Sequence, residues 1–187
     1  MQKLYHVSNV SNLKILKPRV STHGQAFVYA TPYLEFSLLF GSKKSNGDFD
    51  GIYGIKDAKA YFYEAYPGAF KRRFEGETCY IYEVEPDTFK EGRTSFKGEL
   101  VSEEPVKILN CTEVEDLYDY LQYLIKKGSI DFKSYSFDDE YQNKIQEHIK
   151  SRLIMFSILE NKDRPIYKFC KQKFPEIVRD LENTYVQ

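Results

Sequence analysis

The sequence predicts an α+β fold on three observations. Residues up to about 110 hold short runs of β-branched and aromatic side chains broken by turn signals; the rest carry apolar positions at helical spacing; and no internal repeat is present. A small, mainly antiparallel sheet with helices is therefore expected over residues 1–110, and a C-terminal helical subdomain packing on that core over 111–187.

The first β run is Lys3-Leu4-Tyr5-His6-Val7, followed by Leu13-Lys14-Ile15-Leu16 before Pro18. Ala26-Phe27-Val28-Tyr29-Ala30 is the second firm strand. Thr31 reads as a helix N-cap with Pro32 at the first helical position. Leu34, Leu38 and Leu39 continue at helical spacing, and Gly41 reads as the stop. Residues from Ile52 to Tyr66 fit a strand or a short aromatic helix, and Pro67-Gly68 is a turn signal. Thr78 to Val84 is a strand closed by Pro86, and a loop with Gly92 and Gly98 follows. Leu100 to Leu109 reads as one more strand, with Pro105 implying an edge or a bulge.

In the tail, Thr112 is expected to cap a helix through about Lys127, closed by Gly128. Asp138 or Asp139 caps a second, with Ile145, Ile149, Leu153, Phe156 and Leu159 inward. A third runs from Pro165 towards Tyr185, with a bend expected at Pro175.

Composition narrows the function classes. The net charge of −1 supplies no field for nucleic acid or an anionic membrane. Cys79, Cys111 and Cys170 form no CxxC pair, so neither a zinc site nor a disulfide framework is indicated, and buried thiols are expected. No apolar signal region opens the chain and no apolar run reaches the roughly 20 residues of a membrane span, so a cytoplasmic protein is expected. The chain carries no P-loop, GxSxG or HExxH motif. Its 16 Tyr and 14 Phe suffice to fill a core, with an excess that can line a site for a flat ligand.

Three short motifs occur in order: Leu4-Tyr5-His6-Val7-Ser8, then Phe27-Val28-Tyr29-Ala30-Thr31-Pro32, then Ser102-Glu103-Glu104-Pro105-Val106-Lys107-Ile108. This series, over about residues 3–110, resembles ADP-ribosyltransferase-like domains, with small bacterial rifampin-modifying ADP-ribosyltransferases and uncharacterised bacterial relatives as close comparisons. The resemblance implies a split sheet that holds NAD as substrate. It implies that His6, with Val7 and Ser8 beside it, contacts the ribose next to adenine. Tyr29 is then expected to stack on nicotinamide, and Glu104 or Glu103 to stabilise positive charge as nicotinamide leaves. Asp87, Glu91 and Glu99 are reserve acids, because some relatives place the acid in the loop after the preceding strand. Val7 stands where the family usually has Gly, which implies a narrower pocket.

Read on their own, His6 also fits a strand histidine bonded within the core, Tyr29 a packing residue, and the Glu103–Glu104 pair a solvated edge. Arg19 reads as a pyrophosphate partner or a solvated charge, and His23-Gly24 as a phosphate border or a surface turn. Lys71-Arg72-Arg73 reads as a phosphate contact or a solvated loop, and His148 as structural. The resemblance implies an NAD-consuming transferase with an unknown acceptor, or an NAD hydrolase. A non-catalytic nucleotide- or protein-binding module is the alternative, and RNA 2′-phosphotransferase chemistry the third reading. No metal is implied.

Overall fold

The computed structural model describes residues 3–20, 25–91 and 96–185. It is α+β, and the chain divides into two compact units: Met1–Ser45 with Tyr53–Phe62 and Lys71–Phe132, and Asn46–Ile52 with Tyr63–Phe70 and Lys133–Gln187.

In the first unit, strand β1 (Leu4–Ser8) pairs antiparallel with β7 (Cys79–Val84), which pairs with β9 (Val106–Val114). The two-residue β2 (Ile15–Leu16) completes the order β1-β7-β9-β2. A second sheet has the order β3-β4-β8, from Arg19–Val20, Ala26–Ala30 and Leu100–Ser102. The two sheets meet where Tyr5 and Thr31 exchange backbone hydrogen bonds of 2.8 and 3.0 Å. Leu4, Leu16, Val28, Ala30, Tyr82, Val84 and Val106 fill the core beneath. Tyr82 fits there because its hydroxyl donates to the Val10 carbonyl at 2.6 Å, so no buried donor is left unpaired.

That junction revises one expectation. Thr31 is held in a bridge to Tyr5, so helix α1 starts later, at Leu34–Leu38, with Tyr33 as its N-cap. Gly41 follows the helix at a tight point: a Cβ there would lie 3.0 Å from both the Val7 Cγ1 and the Cys79 Cβ, so those neighbours would have to give way. The Val7 branch is thereby placed against Gly41 and Cys79.

The aromatic stretch left open between strand and helix is a hairpin, β5 (Gly51–Lys56) and β6 (Lys59–Glu64). Asp57 and Ala58 form its turn with φ of 51° and 59°, the left-handed pair that matches the twist of a two-residue hairpin. The short β10 (Ile130–Lys133) joins it in the order β10-β6-β5. Helix α2 (Ala69–Phe74) carries Lys71, Arg72 and Arg73, which correct the expected solvated loop: Arg73 is only 1% exposed.

The expected boundary at 110 also differs. Strand β9 continues through it to Val114, and the first unit extends to Phe132. Thr112 therefore lies in a strand, and helix α3 (Leu117–Lys126) is capped by Asp116, whose side chain accepts from the Asp119 N–H. The expected strand over 100–109 is instead two strands in different sheets, parted by a bend at Glu103 and Glu104.

In the second unit, Asp138 caps helix α4 (Asp139–Met155), which buries Ile145, Ile149 and Leu153. Phe156 is 36% exposed rather than inward. Helices α5 (Pro165–Lys173) and α6 (Pro175–Tyr185) replace one bent helix, because proline removes the N–H that would continue the ladder. Two buried carboxylates organise this unit's loops. Asp50 accepts from the Asn46 N–H at 2.7 Å and the Tyr66 hydroxyl at 2.9 Å, while Glu64 accepts from the Phe70 N–H at 2.8 Å and the Tyr135 N–H at 3.1 Å.

Candidate functional site

Two adjoining cavities open at the junction of the sheets in the first unit. The larger is about 730 Å³, within the roughly 300–1,000 Å³ range of small-molecule sites. The smaller is about 180 Å³. His6, Val7, Tyr29 and Phe40 line both. Ser8 and Arg19 line the larger, and Glu99 lines the smaller. Five residues singled out by sequence (His6, Val7, Ser8, Arg19 and Tyr29) thus come together from β1, β3 and β4.

The register explains the convergence. His6 lies on β1 one residue after the Tyr5–Thr31 bridge, and Tyr29 lies two residues before Thr31 on β4. The His6 Nδ1 is 2.8 Å from the Tyr29 backbone oxygen. A carbonyl can only accept, so Nδ1 carries the proton and Nε2 keeps its lone pair. Burial holds the His6 imidazole below its ordinary value; the Tyr29 bond opposes this and the Arg19 charge adds to it. His6 is therefore neutral at pH 7, a fixed tautomer able to accept a hydrogen bond at Nε2. Ser8 accepts from the Val10 N–H at 3.1 Å, and its own O–H remains a donor.

The two cavities differ in charge. Lys17 and Arg19 line the larger, with no carboxylate among its described lining residues. Aromatic Tyr5, Tyr29, Phe36 and Phe40 line the smaller with the half-buried Glu99, and no lysine or arginine is among its described lining residues. One end suits an anion, and the other suits a flat cationic ring.

Glu103 and Glu104 are exposed on the bend after β8 and line neither cavity. The Glu103 carboxylate accepts from Gln25 Nε2 at 3.2 Å; Ser102 Oγ accepts from the Glu104 N–H at 3.1 Å and donates to its carbonyl at 3.0 Å. Asp87 and Glu91 are also exposed and line neither cavity. His23 and Gly24 lie outside the described residues. Phe40, which follows α1 and forms edge-to-face pairs with Phe36 at 5.1 Å and Tyr53 at 5.8 Å, was not singled out; the only signal was an aromatic just before the stop glycine.

Among the described residues no His, Cys, Asp or Glu group is placed to hold a metal ion, and no helix is long and apolar enough to cross a membrane. Cys79 and Cys170 are buried thiols pushed up to about 12 by that burial, which disfavours the thiolate, whereas Cys111 is exposed on β9.

The sequence matches no family model, and neither curated proteins nor solved structures give a match.

The histidines give a pH prediction. His148, whose Nε2 is 2.9 Å from the Asp48 backbone oxygen, is lowered from its ordinary value by burial, as His6 is. Above their unfolded value of 6.5 both are neutral in either state. Below it the unfolded chain binds protons that the folded chain resists, so stability is lost as pH falls towards the folded values. Thermal unfolding from about pH 7.5 to 5.5 should show a falling midpoint, and the double variant His6→Gln, His148→Gln should flatten that slope.

Proposed function

We propose that the paired cavity binds NAD and that the protein is an ADP-ribosyltransferase-like enzyme, moving ADP-ribose to an acceptor or to water. The observation that carries this reading is the division of charge: a larger chamber with Lys17 and Arg19, and a smaller aromatic chamber with Glu99. NAD has the matching division, an anionic pyrophosphate and a flat cationic nicotinamide.

In this reading Arg19 pairs with the pyrophosphate. The His6 Nε2 accepts from a ribose hydroxyl, its tautomer set by the Tyr29 carbonyl. Tyr29 and Phe40 flank the nicotinamide ring. The Glu99 carboxylate stabilises the positive charge that develops on the ribose as its bond to nicotinamide breaks. Glu99 takes the role that the motif resemblance assigned to Glu104 or Glu103, because it is the carboxylate among the cavity's described lining residues.

Nucleotide binding without transfer is the second reading, favoured by the exposure of Glu103 and Glu104. Calorimetric titration with NAD tests the shared part. The wild-type protein is expected to bind, and Arg19→Glu to bind at least about tenfold more weakly, the size of one lost charge-assisted contact. Absence of wild-type binding at millimolar NAD would remove both readings.

A further inference from the structure

Strand β9 has an open side. Its residues from Cys111 to Val114 pair with β7 in regular order, and Asn110 pairs with Glu83. The register shifts between Glu83 and Val84, so Leu109 is the extra residue of a bulge. On its other side, among the described residues, β9 pairs with β2 alone, at Val106 and Lys107. Among the described residues no strand pairs with that outer side from Asn110 to Val114. Leu109 is 57% exposed, and Asn110, Cys111, Thr112 and Glu113 are all exposed. Proteins usually blunt such an edge with lysine, proline or a covering segment. Here neither lysine nor proline lies between Ile108 and Val114.

A groove of about 420 Å³ lies over the sheet face at the end of this edge, walled by Ile81 of β7, by Thr112–Val114 of β9 and by the first turns of α3. Glu113, Glu115, Asp116 and Asp119 line it together with Tyr120 and Tyr123, and no lysine or arginine is among its described lining residues. The two tyrosine rings are stacked 6.4 Å apart with their planes at 19°. The Lys127 ammonium rests 4.6 Å from the centre of the Tyr123 ring, so this aromatic surface already receives a cation from its own chain.

We infer that the β9 edge and its acidic groove form a docking surface for an extended, basic segment of a partner protein. The segment adds as a strand to Asn110–Val114, and the backbone ladder supplies sequence-independent bonds. Its alternate side chains face the groove, where a lysine or arginine meets the carboxylates and the tyrosine faces. This surface lies apart from the paired cavity and does not depend on the NAD reading.

The probe is a short blocked peptide of alternating Lys and Thr, tested on the full chain by calorimetry and by amide hydrogen exchange. The expected result is binding with slowed exchange at Asn110–Val114. Affinity should fall about tenfold or more with Glu113→Lys plus Asp119→Lys, both exposed positions that leave the Asp116 cap intact. A peptide N-methylated on alternate amides keeps its charge but cannot complete the ladder, and should bind far more weakly. Equal binding of the N-methylated peptide, or of a Glu–Thr counterpart, overturns the proposal. So does the absence of binding. Slow exchange at the edge in the protein alone, growing with its concentration, overturns it in favour of a second copy as the occupant.

Discussion

Replacing Arg73 by alanine is expected to cost about 3–5 kcal/mol of stability, because it empties a buried charged site. The side chain is 1% exposed. Its Nη2 donates to the Leu39 carbonyl at 2.6 Å, and its guanidinium carbon sits 4.9, 5.2 and 5.8 Å from the ring centres of Tyr53, Phe74 and Phe62. A desolvated cation over aromatic faces contributes about 2 kcal/mol. A buried carbonyl left without its donor costs about 1–3 kcal/mol, and the void adds to both. Arg73→Met keeps most of the volume and should lose less. Urea unfolding with extrapolation to water measures each loss; a loss in Arg73→Ala below about 1 kcal/mol would show that the guanidinium is not an anchor. The effect bears on the site, since the carbonyl that Arg73 holds belongs to Leu39, next to the cavity wall residue Phe40.

Glu99→Gln is expected to lower nicotinamide release from NAD by about 10²–10³-fold with little change in NAD affinity. The amide keeps the shape of the side chain and removes the charge that acts only as the bond breaks. Glu103→Gln and Glu104→Gln should leave release unchanged, since both side chains are exposed on the bend after β8. Single-turnover release alongside calorimetry separates the two effects. Loss in Glu104→Gln with none in Glu99→Gln would return the role to the residue that the motif pointed to.

The contrast between these acids shows what sequence could and could not deliver. His6 and Tyr29 came into view through the motif resemblance, and one antiparallel bridge at Tyr5–Thr31 brings both to the same cavity wall. Which acid lines the cavity was legible only in part, since Glu99 stood as a reserve behind Glu104 and Glu103. The acid's identity depends on where β8 ends, and alternation along a single strand over 100–109 fails once the chain bends at Glu103 and leaves for another sheet. Phe40 stayed hidden because a helix-terminal aromatic carries no sign of whether it faces core or cavity.

The α+β class and the C-terminal helices were readable from periodicity, and Asp138 from its position before an apolar series. The unit boundary was not. The run Val106–Val114 has an exposed middle with little apolar alternation, so its last residues resemble a helix start rather than a strand. The second unit also takes in Asn46–Ile52 and Tyr63–Phe70, segments remote in sequence from its helices. Buried polar groups such as Asp50 and Glu64 hold those segments, and composition alone marks neither as buried.

NAD bound in the cavity that His6 and Tyr29 share is read most directly at the His6 ring. The chain has three histidines, so the imidazole carbon-bound protons give few, assignable NMR signals. Titration with NAD at pH 7 is expected to shift the His6 signal saturably and to leave that of His148, in the second unit, in place. An unmoved His6 signal at millimolar NAD, or His6 and His148 shifting alike, would show that NAD does not occupy this cavity.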